Sequence, residues 1–231
     1  MSMSYINKND FIIFNDDEIN IMKILNVLIA YLNSKYKNNK KPLIILGPSG
    51  VGKDTIINML LKKYPKIFYK LPSFTTRQKR EGEKEGIDYF FITKEEFKAM
   101  KDENKLFGVK EYNDNYYASN KSKLKELINK GDKIIILNYN IETVYEVKDE
   151  LDFNFIAILP PCEDELRNRL IIRGTKPEDI EKRMDNSLKE MKLINEANYI
   201  HFRVVNDEIN KCFTKIENHI KDLYPNYFRD V

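Results

Sequence analysis

The chain has 231 residues, of which 42% are hydrophobic and 32% charged, and its formal net charge is +3 at pH 7. This composition is typical of a soluble globular protein and excludes a disordered or membrane-embedded chain. The small net charge argues against a general nucleic-acid-binding protein, in which basic residues predominate much more strongly. Cys162 and Cys212 lie far apart without metal-ligand spacing, so we expect free thiols in a reducing compartment.

The first 41 residues are predicted to form an extension ahead of the main domain. An amphipathic helix begins at Asp16 and runs to about Lys35, and a Lys/Asn-rich linker follows it. Its apolar stretch, 19–32, contains Lys23 and Asn26 and is shorter than the roughly 20 apolar residues of a membrane span. The N-terminus has no basic segment leading into an apolar run. We therefore expect a cytoplasmic protein without membrane contact.

From Pro42 onward, short apolar runs alternate with longer amphipathic segments. The apolar runs predict strands at Leu43–Leu46, Lys133–Leu137, Phe153–Leu159 and Phe202–Val205. The amphipathic segments predict helices at Lys53–Tyr64, Ile141–Leu151, Glu163–Ile172, Pro177–Ala197 and Glu208–Tyr224. This alternation indicates an α/β fold with a parallel sheet covered by helices on both faces. Residues 71–120 break the rhythm with Tyr, Phe, Gly and charge, and predict a small, mixed, partly β insertion.

The segment GPSGVGKDT, Gly47 to Thr55, joins the first predicted strand to the first predicted helix. Its glycines allow successive backbone N–H groups to point at phosphate oxygens, and the helix N-terminus adds its positive dipole. Lys53 can reach the β- and γ-phosphates of a nucleotide. A hydroxyl residue normally follows this lysine, but here Asp54 does. Asp54 is either a hard oxygen ligand for Mg²⁺ or a helix-start aspartate that contacts no ligand.

A second phosphate-binding pattern lies in the segment SFTTRQKR, Ser73 to Arg80. Arg77 and Arg80 each offer a planar fork that a phosphate can accept bidentately, and Tyr89 and Tyr117 can donate O–H bonds to the same group. Taken alone, such a loop is more often a solvated surface turn. The presence of the glycine loop in the same chain makes the phosphate-binding interpretation of this segment stronger.

Four motifs together resemble the guanylate kinase family: GPSGVGK, then S-x-T-T-R-x-x-R-x-G-E-x-x-G-x-D-Y-x-F, then N-Y-Y-x-S, then R-x-R-L-x-x-R-G-T. The resemblance runs from about Lys41 to the last predicted helix. It implies a P-loop fold like that of nucleoside monophosphate kinases over residues 42–231. It further implies a mixed α+β GMP-binding subdomain at 71–120 and a helical lid at about 162–197. The implied ligands are ATP, GMP and Mg²⁺.

The resemblance also implies roles for single residues. Those implied to bind ATP are Gly47, Ser49, Gly50, Val51, Gly52, Lys53, Asp54, Thr55 and Asn206, although Asn206 is also explained as a turn residue. The GMP phosphate is assigned to Arg77, Arg80, Tyr89 and Tyr117, and the guanine to Ser73 and Ser119. The residues implied in catalysis are Lys53, Arg77 and the lid arginines Arg169, Arg173 and Arg183. Arg167 is left as a structural residue.

The chain departs from the family pattern at three positions. Asn138 and Asn140 stand where family members usually have an aspartate pair, and Gly108 stands where they usually have the glutamate that accepts hydrogen bonds from guanine. We include Asn138 and Asn140 among the GMP-binding residues, and Glu111 as a replacement acceptor. Because an amide accepts without charge, guanine preference is weakened. Asp54 is a hypothetical replacement for the carboxylate lost at Asn138.

The predicted activity is transfer of the γ-phosphoryl group of MgATP to GMP, and also to dGMP, by a monomer that binds no nucleic acid. One alternative is a kinase for another nucleoside monophosphate. A second is a non-catalytic guanylate-kinase-like module that binds phosphopeptides.

Overall fold

The structure is a computed structural model that describes residues 27–28, 39–112 and 114–229. The predicted amphipathic helix that runs to about Lys35 lies outside these ranges, apart from Val27 and Leu28, which are helical. Within the same ranges, none of the helices has both the length and the apolar character that a membrane crossing requires.

Nine strands occur in the described residues: β1 Leu43–Leu46, β2 Phe68–Lys70, β3 Ser73–Thr75, β4 Tyr89–Phe91, β5 Leu106–Tyr112, β6 Asn115–Asn120, β7 Ile134–Asn138, β8 Asn154–Leu159 and β9 Phe202–Val205. Five of them form a fully parallel sheet in the order β2-β7-β1-β8-β9. This sheet confirms the predicted α/β architecture.

Seven α-helices accompany the strands in the same residues: α1 Lys53–Lys63, α2 Lys94–Asp102, α3 Lys121–Lys130, α4 Ile141–Val147, α5 Glu163–Ile172, α6 Pro177–Glu196 and α7 Ile209–Leu223, followed by a 3-10 turn at Pro225–Phe228. Helix α4 ends four residues before the predicted Leu151. The chain tightens there into a turn, in which Glu150 N donates to Val147 O at 3.0 Å. Strand β2 and helices α2 and α3 were not among the predicted elements.

The central sheet is buried on both faces, which explains why its strands are continuous apolar runs. Leu43 and Ile45 of β1 pack with α1 and α7 in one cluster, while Ile44 and Leu46 pack with α3, α4 and α6 in another. All four side chains have no exposed surface. The glycine loop therefore starts from a strand that is fully buried in the core.

A second, mixed sheet has the order β4-β3-β6-β5 and lies within residues 73–120. Strand β3 pairs parallel with β4 and antiparallel with β6, and β5 and β6 form an antiparallel pair with an irregularity between Phe107 and Lys110. The sheet has a small core of its own around Phe97 and Leu106. These features agree in type with the predicted α+β insertion, whose boundaries at 71 and 120 stay a prediction.

Candidate active site

A cavity of about 820 Å³ lies between the carboxyl edge of the parallel sheet and the mixed sheet. The loop after β1 forms one wall, the mixed sheet faces it, and α5 and α6 close a third side. Most of the residues predicted from the sequence line this cavity: Gly47, Ser49, Gly50, Gly52, Lys53, Asp54, Thr55, Ser73, Arg77, Arg80, Tyr89, Glu111, Tyr117, Asn138, Asn140, Arg169, Arg173 and Arg183. Val51, Ser119 and Asn206 stand behind this lining.

The glycine loop curls around the Lys53 ammonium group. Its Nζ donates to the carbonyl oxygens of Gly47 at 2.5 Å and Pro48 at 3.0 Å. Burial lowers the pKa of Lys53, and the carboxylates of Glu190 and Asp54 oppose that effect. In this arrangement the lysine occupies the concave side of the loop, where the phosphates of a nucleotide would be held.

Asn206 forms a buried hydrogen bond to the backbone of the glycine loop. Its Nδ2 donates to the Val51 carbonyl oxygen at 2.8 Å, and its side chain is 4% exposed. The Val51 side chain is fully buried in the core, so only its backbone can contribute to ligand binding. The structure therefore places Asn206 as a residue that fixes the loop geometry.

Asp54, which follows Lys53 where a hydroxyl residue is usual, contacts Asn138, which stands where family members usually have an aspartate. Asn138 Nδ2, at the end of β7, donates to Asp54 Oδ1 at 2.9 Å. No group of three or more His, Cys, Asp or Glu side chains that could hold a metal occurs in the part of the chain described. One carboxylate and one amide oxygen nevertheless fit Mg²⁺, which is commonly bound by one or two carboxylates together with substrate phosphates.

Glu83 holds the arginine pair in place. It is the glutamate of the second motif, and no role was predicted for it from the sequence. Arg77 donates to the two Glu83 carboxylate oxygens at 2.8 and 2.5 Å, and Arg80 N donates to Glu83 at 2.8 Å. The hydrogen bonds from Arg77 lower the pKa of Glu83 to about 2. The Arg77 guanidinium lies 5.0 Å from the centre of the Tyr89 ring, and the Tyr89 and Tyr117 rings are 6.1 Å apart. Four predicted phosphate ligands thus lie in one region.

At the other end of the mixed sheet, a buried hydroxyl pair replaces the expected carboxylate. The hydroxyl groups of Ser119 and Tyr139 are 2.7 Å apart, and both side chains are buried. Gly108 has a left-handed backbone, φ +63°, and a Cβ there would come within 3.0 Å of the Tyr139 ring. A side chain at position 108 would therefore need a strained backbone and a small shift of the Tyr139 ring. Glu111 is exposed on the rim of the cavity.

Asn140 acts as a helix cap in this structure. Its Oδ1 accepts from Thr143 N at 3.2 Å and from the Thr143 hydroxyl at 2.6 Å, and its Nδ2 donates to Glu142 at 3.0 Å. These bonds fix the start of α4, as expected of an Asn that precedes a helix. The amide faces the cavity, but its carbonyl oxygen already has two donors.

The arginines predicted in the lid come from α5, its C-terminal end and α6. Arg169 donates to Glu165 at 2.8 Å and to the Asn206 carbonyl at 2.9 Å. Its Nη1, like the Arg183 Nε, is buried without a hydrogen-bond partner among the described residues. Such unpaired buried donors are costly, which fits groups that await an anion. Arg167 instead pairs with Glu181 at the surface, in line with its predicted structural role.

Two residues near the centre of the cavity were missed from the sequence. Glu190 of α6 accepts from Ile141 N at 3.2 Å, and Lys110 of β5 lines the cavity beside it. Burial raises the pKa of Glu190 and lowers that of Lys110 to about 8, while their mutual attraction opposes both shifts. The two residues are 80 positions apart, so only the fold brings them together.

A parallel sheet whose first strand leads through a glycine-rich loop into a helix defines a P-loop nucleotide-binding protein. Here the arginine pair follows strand β3 of a second, mixed sheet and lines the same cavity as that loop. The family model described as guanylate kinase matches residues 39–223. The chain belongs to the guanylate kinase family.

Individual relatives agree with this assignment. A guanylate kinase of Clostridium perfringens strain SM101 is 40% identical over 189 residues, which cover 80% of this chain and 85% of the relative. A guanylate kinase of Desulfitobacterium hafniense is 35% identical over 184 residues, covering 79% and 90% of the two chains. The crystal structure of guanylate kinase from Anaplasma phagocytophilum matches with a TM-score of 0.61 at 25% identity and covers 78% of this chain and 84% of that one.

Proposed function

We propose that the protein transfers the γ-phosphoryl group of MgATP to the phosphate of GMP or dGMP, giving ADP and GDP or dGDP. An oxygen of the acceptor phosphate attacks the γ-phosphorus, and the bond to the β–γ bridging oxygen breaks. That acceptor oxygen is ionised near neutral pH, so no strong general base is needed. The observation that carries the proposal is that Lys53 and the Arg77/Arg80 pair face one cavity in a chain of the guanylate kinase family.

The chain's cations divide between the two phosphorylated ligands. Lys53 and the backbone N–H groups of the glycine loop bind the donor phosphates, with Ser49 and Thr55 at the edges of that site. Arg77, Arg80, Tyr89 and Tyr117 bind the acceptor phosphate. Arg169, Arg173 and Arg183 neutralise the charge that is transferred between the two ligands. Catalysis then consists of positioning and charge neutralisation.

Mg²⁺ is implied by the family, and Asp54 and Asn138 are the residues that would hold it. When bound, the ion would offset the negative charge of the ATP phosphates. The contact between Asp54 and Asn138 supports this assignment because it joins the gained carboxylate to the position where a carboxylate is lost.

The guanine site is the less conventional part of the proposal. Ser73 and Asn138 remain as polar groups in the lining, whereas Ser119 is buried behind it against the Tyr139 hydroxyl. Glu111 lies at the rim, and the Asn140 amide is partly engaged as a helix cap. A neutral site discriminates less between bases than a carboxylate that pairs with two guanine donors. We therefore expect the protein to prefer GMP over the other nucleoside monophosphates, but with a smaller ratio of kcat/KM values than a site with a guanine-binding carboxylate would give.

A turnover panel tests the proposal and separates it from both alternatives. Wild type is assayed with MgATP and GMP, dGMP, AMP, CMP or UMP, with Lys53→Met as the inactive reference and Lys105→Met, an exposed lysine of the Glu103 ion pair, as the matched control. We expect GMP to give the highest kcat/KM and Lys53→Met to lose at least about 100-fold. A better substrate than GMP would indicate the other kinase. Absent ATP binding would indicate the non-catalytic module.

The monomeric state and the cytoplasmic location stay predictions. Cys162 and Cys212 are both free, the first exposed and the second buried. Unpaired cysteines are usual in a reducing compartment, which supports the expected location.

A further inference from the structure

Lys110 lies on the face of the mixed sheet that carries the acceptor-phosphate residues. In the register of β5 and β6, Lys110 stands directly opposite Tyr117. Residues opposite each other in an antiparallel pair point to the same face, with Cβ atoms roughly 4.5–5.5 Å apart. Tyr117 in turn contacts the Tyr89 ring, above which the Arg77 guanidinium lies at 5.0 Å. Lys110, Tyr117, Tyr89 and Arg77 thus form a continuous line.

The charges around Lys110 come from the opposite side of the cavity. Lys110 is half-buried, and the ionisable groups that act on it are Glu190 of α6, Lys53 of α1 and Glu142 of α4. Glu190 is also the largest attractive charge acting on Lys53. Two lysines from different walls are therefore drawn toward one carboxylate at the centre of the site. A phosphate that enters the cavity would give these two ammonium groups a further anion to pair with.

Several of the residues that surround this part of the cavity are uncharged. Gly108, Asn138 and Asn140 carry no charge, and Tyr139 is buried with a raised pKa and stays neutral. Glu190 and Glu142 are the carboxylates whose charges act on the Lys110 ammonium, and Glu111 lies exposed on the rim. Lys110 and Tyr117 thus line the cavity as paired residues, together with the residues of the glycine loop.

We propose that Lys110 is a further substrate-binding residue, which binds the phosphate group of the acceptor nucleotide beside Tyr117 and leaves Glu190 when that nucleotide enters. This inference rests on the proposed function, because it takes the Arg77 and Tyr117 region as the acceptor-phosphate site. Glu190 is the carboxylate whose attraction acts most strongly on the Lys110 ammonium. Hydrogen bonds between a cation and a phosphate are among the strongest polar contacts in proteins.

Calorimetric titration with GMP and with guanosine distinguishes a phosphate contact from a contact to the base. For Lys110→Met, we expect GMP to bind about 10- to 100-fold more weakly and guanosine to bind within about twofold of wild type. Lys105→Met, on the exposed edge before the same strand, is the matched control and should leave both affinities unchanged. An equal loss for GMP and guanosine would mean that Lys110 reads the base, and would overturn the assignment.

The pH dependence of GMP binding provides an independent readout. Burial brings the pKa of Lys110 to about 8, against the pull of Glu190 and Glu142 and with the repulsion of Lys53. A bound phosphate favours the protonated amine, so wild-type affinity should fall as the pH rises above about 8. Lys110→Arg stays charged there and should keep GMP binding without that fall, even if the Met variant does not fold.

The failures of the two proposals are distinguishable. If wild type does not bind GMP, the proposed function is wrong and this inference with it. If wild type binds GMP and Lys110→Met, verified as folded by thermal unfolding, binds it equally well, only the role of Lys110 is wrong. A wild-type affinity that does not fall above pH 8 while Lys110→Arg matches it at every pH would likewise overturn the role of Lys110.

Discussion

Asp54 and Asn138 are in direct contact, so the carboxylate of Asp54 lies beside the position at which the sequence lacks an expected one. Asp54 occupies the first turn of α1, where the helix dipole favours its negative charge. Asn138 ends the neighbouring strand β7 and fixes the carboxylate orientation through the bond at 2.9 Å. The amide keeps its carbonyl oxygen as an acceptor, so together the pair offers two hard oxygens at the carboxyl edge of the sheet.

Replacing Asp54 by Ala should raise the Mg²⁺ concentration needed for half-maximal turnover about tenfold or more, because one anionic ligand is lost. Asp132→Asn, which removes an exposed carboxylate paired with Lys130, is the matched control and should leave the Mg²⁺ dependence unchanged. Titration of ADP binding at several Mg²⁺ concentrations gives a second readout that does not depend on turnover. An unchanged Mg²⁺ requirement in Asp54→Ala would show that the aspartate only starts the helix.

The residues that could be predicted are those whose chemistry is local. Lys53 is identified by its glycine loop, and Arg77 by its neighbours within one segment. Lys110 and Glu190 carry no local signal, because an isolated lysine in a strand and an isolated glutamate in a helix are ordinary surface residues. Their role arises only when β5 and α6 face the same cavity.

At the scale of elements, the glycine loop depends on how closely it approaches strand β8. Gly47 has φ +142°, and a Cβ at that position would lie 2.2 Å from the carbonyl oxygen of Ile158. The obstacle is the backbone of a buried strand, which cannot move aside at low cost. Gly174 has φ +79°, but no atom of the residues that the structure describes lies within 4 Å of the position its Cβ would take. A side chain at position 47 would therefore meet both a steric clash and backbone strain, whereas one at position 174 would meet backbone strain alone.

Gly47→Ala should lower the free energy of unfolding by about 2–4 kcal/mol and abolish measurable ATP binding, because the strand and the loop must separate. Gly174→Ala should cost about 1 kcal/mol, the ordinary penalty for a left-handed residue with a side chain. Chemical denaturation and ATP titration of both variants provide the comparison. Equal losses of stability would indicate that the contact with Ile158 has no special weight.

The elements absent from the sequence-based prediction have different physical explanations. Helix α2 begins with a capping box formed by Thr93 and Glu96, and α3 is bounded by Asn120 and Gly131. Those signals are present in the sequence, but neither helix was predicted from them. Strand β2 is only three residues long, and it exists because it pairs with β7. A pairing partner of this kind is invisible in a local pattern.

At the scale of the whole molecule, hydrogen bonds from α7 and from the residue after it connect the C-terminal part of the domain to its N-terminal part. Tyr224 donates its hydroxyl hydrogen to the Lys41 carbonyl oxygen at 2.8 Å and accepts from Asn154 at 2.8 Å, which joins the region after α7 to the chain before β1 and to β8. In α7, Glu217 is 6% exposed and accepts from the Tyr64 hydroxyl at the end of α1. The same carboxylate pairs with Lys63 at 2.7 Å and Lys221 at 3.2 Å.

Glu217 should make the stability of the fold depend on pH in acid. Burial alone would raise its pKa, but hydrogen bonds from Lys63, Tyr64 and Lys221 outweigh burial and lower the pKa below the usual 4.5. A carboxyl group whose pKa is lowered by folding stabilises the native state fully above its unfolded value. That stabilisation is lost as the pH falls from about 4.5 through the lowered pKa of the folded state.

Replacing Glu217 by Gln should therefore reduce the free energy of unfolding by about 1–3 kcal/mol at pH 7, because Tyr64 and the lysines lose a charged acceptor. The difference from wild type should shrink below pH 4.5, where the wild-type carboxyl group also becomes neutral. Urea denaturation at several pH values between 7 and 3 measures both effects. Glu181→Gln, at the exposed pair with Arg167, is the matched control and should cause no measurable change. A loss that is the same at pH 7 and pH 3 would mean that the Glu217 side chain stabilises the domain by packing, and that its charge contributes nothing.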